Sequence, residues 1–104
     1  MTDLRINCEE GLRAIDAVLS ASSPVHADLS RATRCADDVR EFLMAQTRAG
    51  NVLAETLVPR ANDIVADLDA VEIPLSSAAR QRIAKARDSF ASLAGDALRV
   101  SGRR

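Results

Sequence analysis

Tryptophan and tyrosine are missing from this chain, and Phe42 and Phe90 are its only aromatic residues. Whatever core it builds must come from Ala, Leu, Val and Ile. Alanine is the strongest helix former and loses no side-chain entropy on burial, so such a core favours closely approaching helices over a sheet. The shortage of rings also argues against a single-strand nucleic-acid binder, which stacks bases on aromatic side chains. Helix breakers are scarce too. Three prolines and four glycines in 104 residues leave long segments free to stay regular.

Cys8 and Cys35 are the only cysteines, too few for a secreted disulfide scaffold. They lack the close Cys-x-x-Cys spacing of a zinc site, even counting His26 as a third soft ligand, so no metal and no cofactor is expected. If the first two helices form a hairpin, the two cysteines are offset by roughly 4–5 Å along its axis, which neither forbids their contact nor sets them opposite each other. Long apolar runs are absent as well: no stretch approaches the roughly 18 residues that a spanning helix requires. The opening "MTDLRINCEE" carries acids where a signal peptide wants bases, so a cytoplasmic protein is expected. Basic residues other than arginine are nearly missing, Lys85 being the one exception, which reads as a coding bias like that of some bacteria.

What is present is ordinary for a folded protein: 47% hydrophobic and 28% charged residues are too apolar for disorder. The length fits a single helical domain over residues 1–100, with a frayed basic tail at 101–104. Apolar positions at Leu4, Cys8, Leu12, Ile15 and Leu19 predict a first helix that ends in "SASSP". Ser23-Pro24 suits the start of a second, which reads Val25, Leu29, Ala32, Ala36, Val39 and Leu43 in heptad steps. That seam continues through Gln46, Gly50, Leu53 and Leu57 and then shifts to Ala61, Ile64, Leu68 and Val71, with Pro59 inside the shift. After "VEIPLSS", where Ser76 or Ser77 caps, a last helix carries Ala79, Ile83, Ala86, Phe90, Leu93, Ala97 and Val100.

The fold class is therefore all-α, an antiparallel bundle of three to four helices. An up-down-up-down arrangement follows if the chain turns at Gly50-Asn51. The alternative is an open rod with one long middle helix bent at Pro59, about 70 Å long over residues 25–71.

Chemistry is harder to find. No Ser-His-Asp or Cys-His grouping is legible, and the acids alternate with bases along solvated faces, so the expectation is a protein that is not an enzyme. His26 lacks the lysine and glycine that follow the histidine of a phosphotransfer domain, and it reads as a surface residue. Charge is uneven. Residues 1–79 carry seven bases and thirteen acids, net −6, whereas residues 80–104 carry seven and two, net +5, which gives the overall −1. Arg80, Arg82, Lys85 and Arg87, extended by Arg103 and Arg104, are candidates for binding an anion. The competing reading pairs them internally with Asp63, Asp67, Asp69 and Glu72 across a hairpin at Pro74.

The leading functional expectation is a small helical interaction module of the adaptor, assembly-factor or chaperone kind that self-associates through its heptad seams. A thin, alanine-rich core gives a monomer little margin of stability and favours burial in a partner. The expected contact is an antiparallel homodimer centred on Val39, Leu43, Leu53 and Leu57, with Phe42 at its margin; another helical protein is the other candidate partner. The alternatives are a nucleic-acid or anionic-surface binder using the last helix, though nucleic acid is disfavoured by the near-neutral total charge, and a small helical export partner. The export family named for its Trp-x-Gly turn shares only length and helicity with this chain, which has no Trp and no C-terminal Tyr signal.

Overall fold

The computed structural model describes residues 3–21, 26–72 and 75–102. Among them four helices run in order: α1 (Leu4–Ser20), α2 (His26–Arg48), α3 (Val52–Asp69) and α4 (Ser77–Gly102). The expected Ser23-Pro24 start with Val25, the turn at Pro74, and Arg103 and Arg104 lie outside the described residues. α4 continues through Ser101 and Gly102, which the sequence reading assigned to a frayed tail.

The middle of the chain turns back at Gly50, and the open rod is ruled out. Gly50 adopts φ +96°, a left-handed conformation that L side chains rarely take. Its N–H donates to the Thr47 carbonyl at 2.9 Å, and that of Asn51 reaches back to the Gln46 carbonyl at 2.9 Å. These paired bonds close α2 with a Schellman motif. Asn51 then opens α3, its side-chain oxygen accepting from the Ala54 N–H at 2.9 Å. Pro59 neither breaks α3 nor ends it. It cannot donate to the Glu55 carbonyl, but both residues are exposed, so the lost bond falls on the solvent side. α1 and α4 also open on caps: Asp3 accepts from the Arg5 N–H, and Ser76 from the Ala79 N–H.

α2 packs on α1 and α3, and α4 closes the bundle against α1 and α3. Cross-helix contacts fix the register: Arg40 meets Asn62, Arg60 meets Asp96, and Arg87 meets Asp16. Antiparallel neighbours in that register place Ile15, Ala32, Leu68 and Ala86 at one level. Gly11, Ala36, Ile64 and Phe90 share the next, and Cys8, Val39, Ala61 and Leu93 the one beyond. Apart from Gly11, these side chains all belong to the buried core. Large residues thus stand opposite small ones, which fills the interior without aromatics beyond Phe90.

Two stripes differ from the sequence reading. In α1 the buried positions are Asn7, Cys8, Gly11, Ala14, Ile15 and Val18, while Leu4, Leu12 and Leu19 are only partly buried at its flanks. In α3 the seam starts at Ala54, not Leu53, because the reversal at Gly50 resets the helical phase that had seemed to run unbroken from Leu43 to Leu57.

Candidate interaction surfaces

The five residues expected at a dimer interface are not one surface. Val39, Leu43 and Leu57 are buried in the core of the single chain and offer nothing to a partner while the bundle is intact. The heptad seam is real, but its partners are the other helices of the same molecule. Phe42 is half-buried and packs at the edge of that core. Leu53 alone faces solvent, 43% exposed, beside Val52 at 71%. These two adjacent apolar side chains form a step at the start of α3, next to the turn at Gly50. Ile6, 46% exposed, is the third large apolar residue on the surface among the described residues, and it points away from the core on α1.

The four candidate anion-binding residues also divide. Arg80 and Arg87, seven residues apart, share the face of α4 that lies against α1. Arg80 Nη1 donates to the Leu19 carbonyl at 3.0 Å and Nη2 to the Ala21 carbonyl at 3.2 Å. The C-terminus of α1 presents carbonyls with no helical partner, so a guanidinium there satisfies them and complements the helix dipole. Arg87 Nε donates to Asp16 at 3.0 Å, and this bond and charge raise the already high pKa of the guanidinium. Arg82 and Lys85 are exposed. Lys85 lies on the side of α4 toward α3, in an open groove lined by Asp63, Asp67 and Asp88.

Arg80 and Arg87 are therefore answered by α1, whereas Arg82 faces solvent and Lys85 shares its groove with the α3 acids Asp63 and Asp67. The strongest α3–α4 link is one the sequence reading did not single out: Arg60 donates to Asp96 at 3.1 Å and to Ser92 at 2.9 Å. Neither end of that link stood out, because Arg60 and Asp96 are isolated charges 36 residues apart in the sequence.

Cys8 and Cys35 are both free and buried. Burial pushes the Cys8 thiol up to about 11, with further upward contributions from Cys35 and Glu9. Cys35 is raised as well, chiefly by burial. His26 is exposed at the first position of α2. Among the described residues no group of three or more His, Cys, Asp or Glu is placed to hold a metal ion, and no helix is long and apolar enough to cross a membrane.

The molecule thus falls into the class of up-down-up-down four-helix bundles by its geometry alone. No protein-family model matches the chain, and no curated protein or solved structure matches it.

Proposed function

We propose that the protein is a small helical interaction module, without catalysis of its own, that pairs with a second copy of itself through the start of α3. The observation that supports this is the Val52–Leu53 step, two neighbouring apolar side chains left in water where, among the described residues, every other large apolar side chain except Ile6 is at least partly buried. Each stands to gain free energy on burial at about 25 cal/mol per Å². The adjoining turn, Ala49, Gly50 and Asn51, carries no charge that would have to be desolvated in a contact. The adaptor or assembly-factor role is part of the same proposal.

Sedimentation equilibrium over micromolar to near-millimolar concentrations tests the proposal. The wild-type chain is expected to show a reversible monomer–dimer equilibrium, and Val52→Asp with Leu53→Asp to remain monomeric with unchanged helix content. A wild-type chain that stays monomeric throughout, or a double variant that pairs as well as wild type, overturns it.

A further inference from the structure

Cys8 in α1 and Cys35 in α2 lie on facing helices, both buried and both reduced. The Cβ of Cys35 stands 3.1 Å from the position a β-carbon would take at Gly11. Cys8 precedes Gly11 by three residues, so those two positions are neighbours on one face of α1, roughly 5–6 Å apart between β-carbons. The bare backbone at Gly11 lets both α2 and the Phe90 ring approach α1 closely at this level. The proximity of the two thiols is felt electrostatically, since Cys35 adds to the upward push on the Cys8 thiol. A disulfide needs β-carbons about 3.5–4.5 Å apart; the register sets Cys8 level with Val39, four residues from Cys35, so closing the bond requires α1 to shift along α2 by up to about 6 Å, roughly one helical turn.

We propose that Cys8 and Cys35 form a redox site at which a peroxide closes a disulfide between α1 and α2. One thiolate attacks a peroxide oxygen, breaking the O–O bond and giving a sulfenic acid and, after protonation, one water. The second thiol attacks the sulfenic sulfur, forms the S–S bond and expels the second water. Two thiols and one hydrogen peroxide become one disulfide and two waters, with the sulfurs oxidised by two electrons and the peroxide reduced by two. Burial keeps both thiols protonated, so the reaction proceeds through local opening of the hairpin and is slow. Its product is a covalent staple that removes this opening.

The test is incubation with excess hydrogen peroxide, alkylation of remaining thiols, and proteolysis without reductant followed by mass spectrometry. The expected product is a monomer lighter by two hydrogens, containing a fragment that joins Cys8 to Cys35. Dithiothreitol should reverse it, and its melting temperature should rise by about 5 °C or more. Cys8→Ala should give no intrachain link, leaving Cys35 to proceed to sulfinic acid; Cys35→Ala is the matching control if the first variant fails to fold. Two thiols still open to alkylation, links only between molecules, or separate irreversible oxidation of each cysteine would overturn the proposal.

Discussion

The ring of Phe90 lies directly against the backbone of Gly11: its Cε2 and Cζ atoms are 2.7 and 2.9 Å from where a β-carbon on residue 11 would sit. Phe90 is fully buried, so the ring has no solvent to swing into. Gly11→Ala gains up to about 1 kcal/mol of helix propensity but overpacks a filled core, which costs about 1–3 kcal/mol. The expected net effect is destabilisation, read as a lower urea midpoint. Adding Phe90→Leu should recover part of the loss, because it shortens the group that clashes. If Gly11→Ala alone were stabilising, the close approach would be wrong. Phe90→Ala, which leaves the largest cavity, should cost about 3–5 kcal/mol.

Arg80 holds the end of α1 through the Leu19 and Ala21 carbonyls. Arg80→Met keeps the aliphatic stem and removes both charge-assisted bonds, so stability should fall by about 1 kcal/mol, discounted for partial exposure. Amide exchange should quicken in the last turn of α1 before it does elsewhere. Arg80→Lys should restore only part of the loss, since one ammonium does not reproduce the guanidinium fork.

The seams of α2 and α4 were legible because Leu29 to Leu43 and Ala79 to Val100 keep an uninterrupted four-three spacing with one burial face each. α1 was less so. Its core face depends on Gly11, Ala14 and Val18, small residues that a hydrophobic pattern undervalues beside Leu12 and Leu19. Leu53 was misassigned because a heptad carried across Gly50 looks continuous in one dimension and is reset by a left-handed turn in three. An apolar seam also does not state which helix it meets, and for that reason Val39, Leu43 and Leu57 read equally well as a dimer interface. The partners of Arg80 had no signal at all, being backbone carbonyls 61 and 59 residues away.

Gly50 has nothing within 4 Å of its β-position, so a substitution there meets only backbone strain. Gly50→Ala should cost about 1–2 kcal/mol from the left-handed conformation, and Gly50→Asn less. Chemical denaturation distinguishes them. Equal stability of Ala and Gly at this position would contradict the Schellman closure of α2.

Cys8 gives the fold an alkaline limit. Its folded pKa of about 11, set mainly by burial, exceeds the ordinary thiol value of 9.0. The unfolded chain therefore loses this proton first as pH rises. The stabilising contribution is complete below pH 9 and declines through pH 11, by about 2–3 kcal/mol. Urea melts in reductant at pH 8 and pH 11 should show a fall that is clearly smaller in Cys8→Ala, the difference between the two chains isolating Cys8 from other alkaline titrations.

Residue-resolved NMR amide shifts along a dilution series test most directly whether self-association uses the start of α3 and leaves the seams to the chain's own core. The shifts expected to move with concentration are those around Ala49 to Thr56, centred on Val52 and Leu53. The amides of Val39, Leu43 and Leu57 should stay fixed. Shifts that instead follow those three core residues, or a spectrum that does not change with concentration, would contradict it.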